Sequence, residues 1–189
     1  MILYTFTISH FAEKARWSLD YKGITYQEKR LVPGSHIPIV KRIAPSTFVP
    51  VLEDAGRIVQ GSSAIIDYVE EHSPEPPLTP ADPSERQRSL ELERWLDCEL
   101  GERVRRVFYF HALNHRDLVV RLFTQGGPWW GRLICRVGFP MIANRIRQMY
   151  EITPENVALD MDRVTAAYER LDTLLENCRY LVGDRFSPG

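Results

Sequence analysis

A proline-marked strand entry, a glycine turn and a serine at a helix start carry the groups in this sequence that could do chemistry. Val49-Pro50-Val51-Leu52 sets a proline between apolar residues at the entry to a strand, a place where a missing N–H is tolerated. A kink there leaves the peptide groups of Val49 able to pair with an extended peptide as an added strand would. Further on, Gln60-Gly61-Ser62-Ser63-Ala64-Ile65 turns into an apolar helix with hydroxyls at its cap and first turn. Backbone N–H groups at such an end suit a carboxylate. Ser9 lies between a strand and a helix, so its hydroxyl and the first helical N–H groups can converge on one point. The plainer reading is that Ser9 caps the helix, as serine does routinely. A peptide-pairing edge and an anion-binding helix start together predict a small anionic peptide ligand.

The elements that must position these groups follow from periodicity. Residues 2–8 are β-branched and aromatic and predict a buried strand. Residues 11–21 change to helical spacing, and Gly23 closes the helix. Residues 25–32 alternate again, which makes 2–32 a βαβ unit with parallel pairing. His36 to Ile43 can hold a short helix weakened by Pro38. Val51–Glu53 and Arg57–Gln60 flank a hairpin turn at Asp54-Ala55-Gly56, and helix 62–72 follows. The order β-α-β-α-β-β-α is that of a thioredoxin-like domain, assigned to residues 1–73.

Residues 74–83 form a proline-rich segment that reads as a stiff linker. Beyond it, residues 84–189 read as an all-α domain. One long amphipathic helix starts at Ser84 and carries Leu92, Leu96, Leu100, Val104, Val107 and Phe108. A second runs from Trp129 to Tyr150, with a kink expected near Pro140, and a third begins at Thr153-Pro154-Glu155.

Composition excludes some classes. A formal charge of −1 gives no support to general nucleic-acid binding. The three cysteines, Cys98, Cys135 and Cys178, are odd in number and lack a Cys-x-x-Cys pair, which fits free thiols in a reducing compartment. No run approaches the ~20 apolar residues of a membrane span, so a cytoplasmic chain with no membrane partner is expected. His111 and His115 share the i, i+4 spacing of a helical metal pair but lack a third ligand, and no metal is expected. The stretch Arg103 to Arg147 is rich in arginine, with Tyr109, Trp129 and Trp130 interspersed. It reads as solvated charge, a cleft wall or, less simply, a nucleic-acid face. Trp129, Trp130, Phe139 and Met141 read as helical core, with a substrate pocket or a dimer interface as alternatives.

These motifs resemble those of cytosolic glutathione transferases. Ser9-His10-Phe11-Ala12-Glu13-Lys14-Ala15-Arg16 is similar to the family's serine- or cysteine-led opening of the first helix. Residues 44–52 look like its loop before a cis proline, and Gly61-Ser62-Ser63-Ala64-Ile65 looks like its acid-Ser-x-Ala-Ile motif. Val182-Gly183-Asp184-Arg185-Phe186-Ser187 resembles the start of its capping-box segment. The sequence departs from the pattern at His10, at Thr47 and Phe48 in the loop, and at Gly61, where relatives carry an acidic residue or glutamine. It also stops where relatives continue into a further buried helix, so a chain shortened at its C-terminal end is expected.

The resemblance implies glutathione as co-substrate. Ser9 would be catalytic, donating a hydrogen bond to the glutathione thiolate, with Thr7 the nearest substitute donor. Phe11, Val49, Pro50, Gly61, Ser62 and Ser63 would bind the tripeptide, and His36, Lys41 or Arg42 could reach its glycyl carboxylate. The helical domain would hold a small, mainly apolar electrophile, and the protein would be a homodimer. The alternatives are a glutathione-dependent lyase or isomerase and a non-catalytic interaction module on the same fold.

Overall fold

In the computed structural model, which describes residues 1–188, the elements run β1 (Ile2–Thr5), α1 (His10–Tyr21), β2 (Gln27–Arg30), α2 (Ile37–Val40), β3 (Val51–Asp54), β4 (Arg57–Gln60) and α3 (Ser62–His72). They continue as α4 (Pro83–Leu96), a π-helical turn (Asp97–Gly101), α5 (Glu102–Ala112), α6 (Arg116–Thr124), α7 (Gly131–Met149) and α8 (Pro154–Leu175). Gly189, where the sequence reading ends the chain short, lies outside the described residues.

The sheet order is β2-β1-β3-β4. β1 pairs in parallel with β2, whereas β3 is antiparallel to both β1 and β4. Leu3 faces Leu52 across the ladder and Tyr4 faces Val51. Because side chains alternate faces, these pairs feed two opposite layers. Tyr4 and Val51 pack with Val40, Ala44 and Val49 on one side. Leu3, Leu52, Leu19, Ile65 and Val69 are also fully buried. The thioredoxin-like order read from the sequence is the one found.

Two strands are shorter than the alternation suggests. β1 stops at Thr5 because the Ser9 N–H bonds the Phe6 carbonyl in a turn, while the Thr7 hydroxyl donates to the Gln125 carbonyl at 2.8 Å. Hydrogen bonds to partners outside the ladder end the strand before its hydrophobic pattern does.

The described chain forms two compact units. The first comprises Met1–Pro76 and His115–Asn144, and the second comprises Pro77–Asn114 and the chain from Arg145 onward. This division differs from a boundary at the proline-rich segment. Residues 115–144 join the sheet because glycines allow close approach: a Cβ on Gly131 would lie 2.9 Å from a Val32 methyl, and one on Gly126 would strike the Arg30 guanidinium. Within the first unit the proline-rich segment is anchored at its start. Lys22, its ammonium buried, donates to the carbonyls of Ser73 and Pro76 at 2.5 and 3.0 Å and pairs with Glu70 at 2.6 Å.

In the second unit the long helix expected from Ser84 begins with Asp82, whose carboxylate accepts from the Ser84 and Glu85 amides, and Pro83 takes the first helical position, where no N–H is needed. A π-helical turn interrupts the apolar stripe at Asp97–Gly101. Beside it Arg103 and Arg106 on α5 both reach the buried carboxylate of Asp160 on α8, at 3.0 and 2.5 Å. α6 is a separate helix that the sequence reading did not resolve. Of the four apolar residues read as helical core, Phe139 is buried, whereas Trp129, Trp130 and Met141 are exposed.

Candidate functional site

Strand direction brings the candidate residues to one end of the sheet. β3 runs opposite to β1 and β4, so the end at which β1 and β4 finish is the end at which β3 begins. Tyr4, Val51 and Gln60 sit side by side there across three strands. The chain leaves β1 toward Ser9, enters β3 through Val49 and Pro50, and leaves β4 into Gly61 and Ser62. Ligands of open α/β sheets bind outside such strand ends.

Ser9 caps α1. Its Oγ accepts the Ala12 amide at 3.2 Å and its carbonyl accepts the Glu13 amide at 2.9 Å. A hydroxyl that accepts in this way still has its own proton to donate, so the cap reading and the thiolate reading are compatible. Thr7, by contrast, spends its hydroxyl proton on Gln125. Phe11, two residues after Ser9, is half-buried with its ring 4.3 Å from that of His10.

The Val49–Pro50 peptide bond is cis. Val49 lies outside the ladder, two residues before β3 starts. Pro50 is tied to the third loop, since its carbonyl accepts the Gly61 amide at 3.0 Å. Gly61 has φ 99° and ψ 146° as the N-cap of α3. No atom would meet a Cβ there within 4 Å; the positive φ, rather than lack of space, is what calls for glycine. Ser62, 6% exposed, occupies the first helical position, where the amides have no partner within the helix. Ser63 receives a hydrogen bond from the Lys14 ammonium at 3.3 Å, so α1 supplies a cation beside the start of α3.

Sequence reasoning missed two contributors. Gln60 donates through Nε2 to the carbonyls of Ser46 and Phe48 at 3.1 and 2.7 Å, while its Oε1 accepts the Ser46 amide at 3.2 Å. It clamps the loop that leads into Val49, and a primary amide is suited to this because it carries donors and an acceptor together. Its place at the end of β4, opposite Val51, was the available signal. Lys14 lies in the quoted helix-opening motif, but spacing does not show that it reaches Ser63. His36 is a poor carboxylate partner: burial pushes its pKa down, against hydrogen bonds with the Thr47 and Val32 backbone, and its Nδ1 accepts the Gly34 amide. Lys41 and Arg42 are exposed. Among the described residues no group of three or more His, Cys, Asp or Glu is placed to hold a metal.

Comparison with known proteins agrees with the fold of the first 77 residues. Residues 3–77 match the model of the glutathione S-transferase N-terminal domain, which defines the class to which the sheet and its helices belong. Residues 3–77 thus form a domain of the glutathione S-transferase N-terminal type. The chain is 30% identical over 122 residues to a maleylpyruvate isomerase from Ralstonia sp., an alignment covering 63% of this chain and 53% of that protein. It is 34% identical over 133 residues to a maleylacetoacetate isomerase from Pseudomonas aeruginosa, covering 67% of this chain and 58% of that one. The chain thus spans a little over half the length of these relatives. Among solved structures, a β-etherase, LigF, from Sphingobium sp. superposes with a TM-score of 0.76 at 23% identity, over 99% of this chain and 78% of that one, a likeness of fold.

Proposed function

We propose that residues 1–73 bind glutathione and hold its sulfur as a thiolate at Ser9, for attack on a small, mainly apolar electrophile carried by the helical residues 84–189. The observation that carries this reading is the meeting of three ligand-binding devices at one sheet end: a hydroxyl with a proton to give, an off-ladder strand entry and a helix start beside Lys14. Val49 and Pro50 would meet the cysteinyl backbone. Gly61, Ser62 and Ser63 would take the γ-glutamyl carboxylate through first-turn amides and hydroxyls, and Phe11 would line the site. A free thiol has a pKa of ~8.5, and hydrogen bonds together with a helix N-terminus lower it. Each unit of lowering corresponds to about 1.4 kcal/mol of preference for the thiolate. The reading extends to a cytoplasmic detoxification enzyme acting as an isologous homodimer.

The isomerase names of two relatives favour one particular use of the same thiolate. Its addition to a carbon–carbon double bond conjugated with a carbonyl turns that bond into a single bond. Rotation and expulsion of the thiolate then return glutathione unchanged beside the isomerised product. A single assay separates the two uses. Purified protein is given glutathione with either an aryl halide or a cis-unsaturated dicarboxylic acid, and product and free thiol are followed together. Thiol consumption with the halide is the expected transferase outcome, and catalytic conversion of the diacid without thiol loss is the isomerase outcome. Neither reaction, with no glutathione bound at millimolar concentration, would leave a non-catalytic interaction module.

A further inference from the structure

From Leu118 to Tyr150 the sequence holds five arginines and no aspartate, glutamate or lysine. α7 occupies much of this stretch. Its inward side is made by Cys135, Phe139 and Ala143, all buried and spaced as one helical face requires. On the outward side Leu133, Val137 and Met141 recur every fourth residue at 65%, 72% and 74% exposed, and Trp129, just before the helix, is 88% exposed. Arg132 and Arg136 precede Leu133 and Val137 by one residue and so edge the apolar stripe. Both are exposed, with Arg136 also 3.3 Å from Asp117.

We propose that this face of α7 docks in the plane of an anionic lipid surface, with Trp129, Leu133, Val137 and Met141 entering the acyl boundary and the arginines meeting lipid phosphates. This departs from the expectation of no membrane partner. Among the described residues no helix is long and apolar enough to cross a membrane, and a helix with an apolar face edged by arginine lies in the interface instead. Tryptophan is enriched at that depth. A face built to grip nucleic acid would place its cations at the centre, where here there are aliphatic side chains. A second copy pairing through the same face would bring two arginine sets together, with the Asp117 of each copy already placed at its own Arg136.

The test uses the full chain with vesicles of phosphatidylcholine alone or mixed with phosphatidylglycerol, read by co-sedimentation and by the tryptophan emission maximum. Binding to the anionic vesicles should be at least about tenfold tighter than to the neutral ones, since basic residues near such a surface each add attraction, and it should weaken in high salt. A blue shift should accompany binding and shrink in Trp129→Phe. The double variant Leu133→Glu, Val137→Glu changes only exposed positions. It should keep the wild-type circular dichroism and thermal midpoint while losing vesicle binding. No preference for anionic vesicles by the folded protein would overturn the proposal. So would an oligomer in solution that the double variant dissociates, which would assign the face to a second copy, or RNA that displaces bound vesicles, which would assign it to nucleic acid.

Discussion

Replacing Ser9 with glycine is expected to lower kcat/KM with glutathione by about a hundredfold, the scale on which one hydrogen-bond donor to a reacting anion matters, while leaving stability almost unchanged. The two effects separate because Ser9 caps α1 and, in the proposed function, also donates to the thiolate. As the N-cap of α1 it accepts the Ala12 amide, and glycine replaces serine at an N-cap at a cost of only a few tenths of a kcal/mol, whereas alanine costs about 1 kcal/mol. As a donor its remaining proton is available to a sulfur anion, and glycine has none to offer. The pH profile should report the same loss. With Ser9 present, the rate should rise with an inflection below the ordinary thiol value and level off above it. In Ser9→Gly that inflection should move up toward ~8.5, so the deficit is largest at low pH and shrinks at high pH. Ser9→Thr, which keeps a hydroxyl, should recover much of the rate. An unchanged inflection in Ser9→Gly would assign Ser9 to capping alone.

Asp160→Asn should destabilise the second unit by about 3 kcal/mol, near the lower end of what breaking a buried ion pair costs. The carboxylate is 1% exposed and receives Arg103 Nη1 at 3.0 Å and Arg106 Nη1 at 2.5 Å. Arg103 also bonds both Glu99 oxygens, and Arg106 Nε donates to the Tyr150 carbonyl. An asparagine would keep one acceptor, lose the charge and turn its N–H2 toward one of the two guanidinium groups. Glu99 still answers part of the Arg103 charge, and both arginines reach some solvent, which holds the cost at that end of the range. For a chain of this size, ~3 kcal/mol corresponds to a fall in Tm of about 6–12 °C. Thermal and urea unfolding would check it, and a change below about 0.5 kcal/mol, the range of an ordinary surface substitution, would show that the pairing adds no stability.

Much of the first unit was legible because its elements obey simple periods. Leu3 and Leu52, or Tyr4 and Val51, announce two-faced strands, and Gly61 announces the turn into α3, whose positive φ only the structure shows. The strand order follows from a βαβ unit joined to a hairpin. What stayed hidden depends on partners distant in sequence. Nothing in the alternation of residues 2–8 reveals that Thr7 bonds Gln125. The apolar spacing of Leu92, Leu96 and Leu100 continues through the π-helical turn, because a periodic stripe does not record a local change in hydrogen-bond pattern. The clamp formed by Gln60 needs the 46–48 loop folded back beside β4, and the grouping of residues 115–144 with the sheet depends on Gly126 and Gly131 admitting Arg30 and Val32. Of the candidate site, the positions of Ser9, Val49, Pro50 and Ser62 were readable from motifs, whereas Lys14 and Gln60 appear only when the helix and the hairpin are set side by side.

In the proposed site three chain segments close around one tripeptide at the end of the sheet. An amide NMR titration with glutathione asks about all three at once. It should shift Ser9 to Ala12, Val49 and Ser62 to Ser63 together, along one saturation curve, with Gln60 side-chain resonances moving in step. Shifts concentrated on other elements, or a spectrum that stays unchanged at millimolar glutathione, would contradict it.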